Sequence, residues 1–520
     1  MSPSVIPPRT RASERYQRPN VFVYGVGAAY PPHSIKPEEL DVLARRFYPS
    51  TPALEKVLTI NAYTGIDTRA SIGTIDHPVV NDPLPPSITE LNDLFMTHGV
   101  SLSVSAARKA LAQSNTPYSD ITHVVSTTCT NSANPGFDHY VIKKLGLRQN
   151  VQKVLLHGIG CSGGMAALRT AAGLIMGESF RGRKARVLVL AAEISTTLVR
   201  SELESIVKND EVRIGICLFS DCASALVVGN EMEGDEDFPE SAENAQELPN
   251  GLHNGFDQDD DSLQERIQES RRQNGENEPI LELLGWEHEI IEDTEKDLGF
   301  DVDPLGWKVV LTPRVPKLTA GILPPLFSKL VTSIPELKAT IAEAAHSIPP
   351  TSFSWALHPG GATILSGVER VMGLNPEEHL RESYEIYVSR GNSSSATWAS
   401  VVARMMNVNT QEGDEKKRYV LGCGFGPGIS VEMAVLKRLD LDGEGVTGRV
   451  KARKTNEANG DGLMNGLQAL DISDRGSSTS RSSDAGGDST GGSGTGSGNG
   501  SGSLSPNLST VALPLAEDVD

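Results

Sequence analysis

The sequence predicts an α/β fold built from two similar halves, each a sheet covered by helices on both faces. Continuous apolar runs rich in Val, Ile and Leu alternate with helical patterns from about 20 to 230 and again from 280 to 440. Each half also has a strand that leads to a reactive residue, a glycine pair and a helix, in LLHGIGCSGGMAAL and in WALHPGGATIL. This repetition predicts a duplicated α/β unit with one site between the copies.

The individual elements follow from the same patterns. In the first half the predicted strands are VFVYGVGAAY, ITHVVSTTCT, ARVLVLAAE and ALVVGNE, and the helices include LSVSAARKALAQS and CSGGMAALRTAAGLIMG. In the second half, apolar runs predict strands in PILELLGWEHEII, FSWALHP, RYVLGCGFG and GISVEMAVLKRL. Helical patterns there are GATILSGVERVMGL and SSSATWASVVARMMN.

Three segments have compositions that do not build a core. Residues 1–19 are rich in Pro and Arg and predict a flexible N-terminus. Residues 231–279 are acidic, polar and nearly free of aliphatic side chains, which predicts a disordered surface insertion. Residues 441–520 become a Gly/Ser-rich tail, typical of a flexible tether. The folded halves are therefore expected at 20–230 and 280–440.

Composition excludes several functional classes. The net charge of −20 argues against nucleic acid as a partner. Five scattered cysteines show neither a CxxC pair nor the spacing of a zinc site, which argues against structural metal and disulfides and favours a reducing compartment. No apolar run is long enough to span a membrane, and the start lacks the apolar core of a secretory signal. We therefore expect a cytoplasmic protein.

Cys161 lies in HGIGCSGGMAALRTAAGLIMG, where four nearby glycines permit a sharp turn from strand to helix. A helix that begins here places its positive end at the sulfur, which lowers a thiol's pKa and favours the nucleophilic thiolate. We therefore expect Cys161 to be a nucleophile. For this residue taken alone, an inert cysteine at a tight turn is the alternative.

His358 and Asn392 also stand where a strand gives way to a helix. His358 ends the strand of WALHPGG, and Asn392 in SRGNSSSATWASVVARMM can donate an amide hydrogen bond to a developing oxyanion. A core histidine and a helix N-cap are the structural alternatives. Papain-like proteases also use Cys, His and Asn in this order, but their C-G-[SA]-C-[WY] signature is absent.

The segment GCGFGPGISVEMAVL contains a loop of glycines and one proline between two apolar runs. Such a loop lets the backbone approach a substrate closely, although a plain hairpin connection has the same composition. It is not a dinucleotide-binding fingerprint, because a strand rather than a helix follows it.

In combination, GCSGG, HPGG, GNSSSA and GFGPG resemble the chalcone/stilbene synthase family, the type III polyketide synthases of the thiolase superfamily. The resemblance covers about 20–440 outside the acidic insertion. TNSANPGFDHY, AAEISTTLVRSELESI and LFSDCASALVVG resemble the fungal branch more than the plant branch. The resemblance implies a thiolase-like αβαβα layered fold and a homodimer.

The resemblance also implies a mechanism. Cys161 would take the acyl group from an acyl-CoA starter, and His358 would pair with its thiolate. His358 and Asn392 would then hold the carbonyl of malonyl-CoA while decarboxylation places enolate charge on that oxygen. The carbanion would attack the Cys161 thioester, and repeated additions would build a polyketide that cyclises in the same cavity. Neither a metal nor another cofactor is expected.

The resemblance further implies a substrate-binding wall. Phe219 in LFSD and Trp307 in PLGWKVVLTPRVP match the two aromatic gatekeepers of the family, and Leu198 stands where plant enzymes have a cavity-shaping threonine. The other residues expected to bind substrate are Ser394, Gly426 and Pro427.

Two departures from the family pattern concern CoA and the dimer. Of the basic residues that grip the CoA phosphates, only Lys56 falls in register, while Thr59 and Tyr63 occupy the other two positions. Asn134 stands where plant enzymes place a methionine that crosses to the partner's cavity.

The likeness to the fungal branch implies a medium- or long-chain fatty acyl-CoA starter and an alkylpyrone, alkylresorcinol or resorcylic acid product. A chalcone- or stilbene-like enzyme with an aromatic starter is the nearest alternative, and a single-condensation β-ketoacyl synthase is a further one. A Cys-dependent thioesterase or hydrolase is the alternative from another class. Only the thioesterase or hydrolase would leave malonyl carbon out of the product.

Overall fold

The computed structural model describes residues 19–231, 278–303, 306–344, 347–407 and 417–439. The predicted flexible N-terminus, acidic insertion and Gly/Ser-rich tail lie almost entirely outside these residues. None of the helices in the described ranges is both long and apolar enough to cross a membrane.

Most strands are continuous apolar runs, as the sequence predicts for a sheet covered on both faces. The described strands are β1 (Phe22–Ala29), β2 (His33–Ile35), β3 (Arg69–Ser71), β4 (His123–Thr127), β5 (Gln152–Leu156), β6 (Arg186–Glu193), β7 (Cys222–Gly229), β8 (Leu281–Ile290), β9 (Leu298–Asp303), β10 (Gly306–Leu311), β11 (Phe353–Leu357), β12 (Tyr419–Gly426) and β13 (Ser430–Arg438).

Helices connect these strands, and most of them bury one apolar face. The described α-helices are α1 (Pro37–Phe47), α2 (Pro52–Ala62), α3 (Pro78–Asn81), α4 (Ile88–Leu94), α5 (Val100–Gln113), α6 (Phe137–Leu145), α7 (Gly163–Phe180), α8 (Val199–Asn209), α9 (Gly215–Leu218), α10 (Val315–Ser333), α11 (Pro335–Ala344), α12 (Ala362–Met372), α13 (Pro376–His379), α14 (Arg381–Arg390) and α15 (Thr397–Asn407).

The main sheet contains two copies of one strand arrangement. Its order is β11-β12-β13-β8-β1-β7-β6-β4-β5. Outward from the centre, β1, β7, β6 and β4 follow one another with antiparallel, antiparallel and parallel pairing. The strands β8, β13, β12 and β11 repeat that pattern. The predicted duplication is confirmed.

Helices and half-sheets alternate in five layers. The central helices α7 and α15 share one core with both half-sheets, in which Ala171 and Val401 pack with Val187 and Ala434. On the outer side of the first half-sheet, residues of α5 and α6 pack against β4, β6 and β7. Residues of α10, α12 and α14 form the corresponding core of the second half. This is the αβαβα arrangement that the sequence predicts.

One detail of the predicted repeat is wrong. In the second half-sheet β11 has the place that β4 has in the first, whereas the Cys161 motif follows the edge strand β5. The helix after Cys161 is the central helix α7, while the helix after His358 is the outer helix α12. The two glycine-pair motifs therefore are not equivalent, because the duplication relates α7 to α15, the helix that follows Asn392.

Candidate active site

The turn that carries Cys161, here called the nucleophile turn after the role predicted for that residue, is held by close contact between two loops. A one-turn 3-10 helix, Gly160–Ser162, lies between β5 and α7 and carries Cys161. Gly160 has a φ of +61°, and a Cβ there would lie 2.5 Å from Cδ of Pro427 in the hairpin turn between β12 and β13. Only glycine fits this position, so the sharp turn that the sequence predicts is confirmed.

Cys161 is enclosed by other side chains. Its thiol donates a hydrogen bond to Oγ of Ser394 at 3.4 Å, and Sγ of Cys129 lies 3.4 Å from the same oxygen. Burial raises the pKa of the Cys161 thiol to about 11, although the hydrogen bond to Ser394 opposes the shift. The sequence predicts a lowered pKa from the helix N-terminus; in the structure desolvation is the stronger effect.

His358 is a buried imidazole with free ring nitrogens. It follows β11, is 1% exposed, and its backbone N–H donates to the carbonyl of Cys423 at 2.8 Å. Among the described residues, neither Nδ1 nor Nε2 has a hydrogen-bond partner. Burial lowers the pKa of the ring to about 4, so the neutral imidazole is favoured.

The histidine lies close to the nucleophile turn. A Cβ placed on Gly424 would lie 3.7 Å from Cβ of His358 and 3.8 Å from Cα of Ser162, the residue after Cys161. The backbone of Gly424 in β12 therefore lies between His358 and the turn that carries Cys161.

Asn392 is held by its neighbours with the amide nitrogen in a defined position. Its Oδ1 accepts hydrogen bonds from the backbone N–H of Ser394 at 2.8 Å and from Oγ1 of Thr397 at 3.4 Å. Its Nδ2 donates to the carbonyl of Gly360, two residues after His358, at 3.2 Å. The second N–H of the Asn392 amide has no hydrogen-bond partner in the described part of the chain.

A cavity opens in front of Cys161. It encloses about 1160 Å³, part of it open to solvent. Five of the residues that the sequence assigns to substrate binding line it together with Cys161: Leu198, Phe219, Trp307, Ser394 and Pro427. Trp307 is stacked on Phe300, with ring centroids 5.3 Å apart, in the hairpin formed by β9 and β10.

Comparison with known families decides the assignment. The family model for the N-terminal domain of chalcone and stilbene synthases matches residues 20–232, and the model for the C-terminal domain matches 311–440. The chain belongs to the chalcone and stilbene synthase family.

Individual relatives agree. The type III polyketide synthase pspB of Penicillium soppii is 36% identical over 82% of this chain and 98% of its own. The acylalkylpyrone synthase csyB of Aspergillus oryzae is 34% identical, with 82% and 96% covered. The crystal structure of the fungal type III polyketide synthase ORAS aligns with a TM-score of 0.69 and 50% identity, covering 81% of this chain and all of its own. CsyB complexed with CoA-SH aligns at 0.69 and 34%, covering 80% of this chain and all of its own.

This chain is thus a type III polyketide synthase, and its fold and enzyme class are those that the sequence predicts.

Four predicted site residues do not line the cavity: His358, Asn392, Gly426 and Lys56. His358 and Asn392 make the contacts described above but are not among the residues that line the cavity. Gly426 packs against the nucleophile turn, because a Cβ there would lie 2.2 Å from Oγ of Ser162. Lys56 is exposed on α2, so its role in CoA binding stays a prediction.

Sequence reasoning did not single out Glu193, although this synthase places it beside the nucleophile. The carboxylate is fully buried and accepts hydrogen bonds from the backbone N–H of Cys129 at 3.1 Å, from Oγ1 of Thr130 at 2.8 Å and from Oγ of Ser395. Burial raises its pKa. A glutamate at the end of the apolar run ARVLVLAAE was the available signal.

No group of three or more His, Cys, Asp or Glu side chains in the described ranges is arranged to hold a metal ion.

Proposed function

We propose that the synthase loads an acyl group on Cys161 and extends it with malonyl-CoA, using His358 and Asn392 at the enolate. The observation that carries this proposal is the buried imidazole of His358, whose ring nitrogens have no partner among the described residues. Buried polar atoms are rarely left unpaired, and a catalytic role is a common reason for an exception. Gly360 links the two groups: a Cβ placed on it would lie 3.7 Å from Nε2 of His358, and its carbonyl accepts a hydrogen bond from Nδ2 of Asn392.

In the loading step, the thiol of Cys161 transfers its proton to His358 as sulfur attacks the thioester carbonyl of the starter. The tetrahedral intermediate collapses and the acyl group stays on Sγ. The CoA sulfur takes the proton from His358, and CoA leaves as the thiol.

In the extension step, the thioester oxygen of malonyl-CoA accepts hydrogen bonds from Nδ2 of Asn392 and from the protonated ring nitrogen of neutral His358. The bond to the carboxylate breaks, CO₂ leaves, and its electron pair becomes an enolate whose charge these donors stabilise. The enolate carbon attacks the acyl group on Cys161, and Sγ leaves as the thiolate. The extended chain now resides on CoA and is reloaded or cyclised.

We further propose a medium- or long-chain fatty acyl starter and a product of the alkylpyrone, alkylresorcinol or resorcylic acid type. The cavity supports it, because apolar side chains of β2, α1 and α3 are among the residues that line it, an environment suited to an aliphatic chain. These residues, here called the apolar sector, are Ile35, Leu40, Leu43, Val79 and Val80. The relative csyB is named an acylalkylpyrone synthase, which supports it as well.

Product mass spectrometry with a panel of acyl-CoA starters and ¹³C-malonyl-CoA tests this proposal. We expect labelled pyrones or resorcinols whose yield rises from short to long aliphatic starters. A higher yield with aromatic starters would support the chalcone- or stilbene-like alternative. Free fatty acid and CoA without labelled product would support a thioesterase and contradict the proposal.

We propose that the synthase is a homodimer. The edge strand β5 pairs with β4 on one side and with no described strand on the other, and its Val154 is exposed. The helix α7 exposes Met176, and Phe180 at its end is 94% exposed. Apolar surface of this kind at a free sheet edge fits a second copy of the chain.

We expect the double variant Met176→Glu, Phe180→Glu to be a monomer by light scattering and the wild type to be a dimer. Val302→Glu, on the exposed face of the β9–β10 hairpin, is the control and should leave the dimer intact. A monomeric wild type would contradict the proposal.

We also propose cytoplasmic localisation, with CoA thioesters as substrates and no metal or other cofactor in the reaction. The five cysteines are all free thiols, which suits a reducing compartment. A fluorescent fusion that enters the secretory pathway, or activity that is lost on treatment with a chelator, would contradict these statements.

A further inference from the structure

Arg69 is a buried cation in the wall of the cavity. It begins β3, is 5% exposed, and lines the cavity that also contains Cys161. Among the described residues it is the only lysine or arginine in this wall, and the carboxylate there, Glu202, pairs with Arg213. Arg69 is therefore the side chain of this wall that is best suited to bind an anion.

The guanidinium of Arg69 has neither a hydrogen-bond partner nor an ion-pair partner in the described part of the chain. Burial lowers its pKa, and the charge of Glu39 on α1 opposes this shift only from beyond ion-pair distance. The guanidinium nitrogens are not among the unpartnered side-chain atoms that are sealed from water, so they keep accessible surface in the cavity wall. An unpaired charge in a buried place costs free energy that an anionic ligand would offset.

Arg69 packs against the loop that carries Asn392. The backbone N–H of Asp67 donates to the carbonyl of Val388 at 2.8 Å, which holds β3 beside the end of α14. A Cβ placed on Gly391 would lie 2.9 Å from Cγ of Arg69. In the proposed extension step Asn392 binds the thioester oxygen of malonyl-CoA, whose carbonyl carbon becomes the end carbon of the extended chain. That end carbon is therefore held at the loop on which Arg69 packs.

Arg69 also borders the apolar sector. It is the cross-strand partner of Ile35 in the ladder of β2 and β3, and side chains of such a pair lie on the same face. Both residues line the cavity. In an alkylresorcylic acid the carboxylate and the alkyl tail are bonded to neighbouring ring carbons. A cation beside an apolar wall matches that arrangement.

Two carboxylates occur in the proposed reaction, that of malonyl-CoA and that of a resorcylic acid product. Loss of CO₂ moves the charge of a carboxylate onto the carbon skeleton, so a cation paired with the carboxylate opposes the loss. Pairing with Arg69 would slow the decarboxylation of malonyl-CoA, which every extension requires. The same pairing would preserve the carboxylate of a resorcylic acid, which otherwise leaves as CO₂ while the ring carbon takes a proton.

We propose that Arg69 is a specificity-determining residue, whose guanidinium binds the carboxylate of a resorcylic acid-type product. The inference rests on the proposed polyketide-forming function. On release, water attacks the thioester carbon and the C–S bond breaks. One proton of the water goes to the sulfur, and the other leaves the new carboxylic acid for the solvent. The carboxylate then pairs with Arg69, which favours the acid over the resorcinol and CO₂.

The first test measures binding of an alkylresorcylic acid and of its uncharged carboxamide by titration calorimetry. We expect the wild type to prefer the acid by about 10-fold to 100-fold, the effect of hydrogen bonds to a charged group. Arg69→Gln removes the cation and should abolish the preference. Arg45→Gln is the matched control, because Arg45 pairs with Asp41 and Glu55 outside the cavity wall, and it should keep the preference.

The second test measures products formed from one fatty acyl-CoA and ¹³C-malonyl-CoA. The ratio of resorcylic acid to resorcinol should fall about tenfold or more in Arg69→Gln and stay unchanged in Arg45→Gln. A wild type that extends its starter but forms no carboxylated product would overturn the proposal. A raised KM for malonyl-CoA in Arg69→Gln, with the preference for the acid retained, would assign Arg69 to malonyl-CoA and overturn it as well.

The binding measurement also decides the proposal without the variant. If Arg69→Gln does not fold, equal affinity of the wild type for acid and carboxamide overturns the proposal, and a preference for the acid supports it. If the wild type forms no labelled product from any starter, the proposed function is wrong, whereas the comparison of acid and carboxamide still tests the anion site.

Discussion

Cys161 and His358 are both buried so deeply that the charged form of each is disfavoured. Burial raises the pKa of the thiol to about 11 and lowers that of the imidazole to about 4. The free enzyme therefore favours a thiol and a neutral ring over a thiolate–imidazolium pair. Ser394, which accepts the hydrogen bond of the thiol, is the neighbour that most opposes this shift at Cys161.

Alkylation of Cys161 in the free enzyme should therefore speed up with pH well into the alkaline range. The thiolate is the reactive form, and its fraction rises steeply with pH until the pH approaches the pKa of about 11. The rate of iodoacetamide modification, followed by intact-protein mass spectrometry from pH 6 to 10, measures this dependence. Cys161→Ala identifies labelling of the other cysteines. A rate that is already constant below pH 8 would show that a thiolate pair forms without substrate.

Asn392→Ala should separate extension from loading. The variant loses the amide donor for the enolate, and loss of one such donor costs about 10²–10³ in rate. We expect decarboxylation of malonyl-CoA, measured as released ¹⁴CO₂, to fall by that factor while acylation of Cys161 persists. Thr397→Val, which removes only the 3.4 Å hydrogen bond to Oδ1, is the matched control and should cost less than about tenfold. Equal loss of acylation and decarboxylation in Asn392→Ala would contradict the assigned role.

Sequence reasoning at this scale predicted which residues react, which stays a prediction, but it did not predict the direction in which the pKa of Cys161 is shifted. Cys161, His358 and Asn392 stand in motifs that glycines make conspicuous. Whether the pKa of Cys161 is raised or lowered depends on how deeply the surrounding chain buries the sulfur. The spacing of residues in the sequence does not reveal this burial. Glu193 was missed for a related reason, because a single acidic residue at the end of a strand is indistinguishable by pattern from a solvated one.

At the scale of elements, the contact between two turns sets the position of the nucleophile. The turn that carries Cys161 packs on the β12–β13 hairpin, where Pro427 covers Gly160 and Gly426 faces Ser162. The sequence left open whether GFGPG is a plain hairpin connection or a wall of the site. It is a hairpin turn, and its proline also lines the cavity.

Gly426→Ala should displace the nucleophile turn, because the added methyl would lie 2.2 Å from Oγ of Ser162 and 2.6 Å from the carbonyl of Ile159. We expect destabilisation of about 1–3 kcal/mol in the free energy of unfolding and a large loss of condensation activity. In Gly428→Ala the methyl meets open space but φ is +60°, so only backbone strain of about 1–2 kcal/mol results. Denaturant unfolding and product formation measure both. Full activity in Gly426→Ala would contradict this view of the turn.

The strands and the four helices predicted from the sequence lie within a few residues of observed elements, since each is a continuous apolar run or has a clear helical period. The helix α10, Val315–Ser333, was not predicted. The β9–β10 hairpin was not predicted. Its first strand lies in DTEKDLGFDVD, which is too acidic to resemble a buried strand. It forms a separate two-stranded sheet whose apolar side covers the cavity and whose charged side pairs with Arg213.

At the scale of the whole molecule, duplication explains why the reactive groups meet. The central helices α7 and α15 occupy equivalent places between the half-sheets, and Cys161 and Asn392 precede them at the same side. His358 comes from the end of β11 in the second half. The sequence predicted two halves with one site between them. It did not predict that Cys161 and Asn392 occupy equivalent positions in the two halves, because that follows from the order of strands in the sheet, which no local sequence pattern contains.

The central claim is that Cys161 holds the acyl chain while malonyl carbon is added to it. Intact-protein mass spectrometry tests it most directly, by incubating the enzyme with a long-chain acyl-CoA and then adding ¹³C-malonyl-CoA. We predict an acyl adduct on Cys161 that disappears as labelled, extended product forms, and neither adduct nor product in Cys161→Ala. Product formation by Cys161→Ala, or loss of the adduct as unlabelled fatty acid alone, would contradict the account.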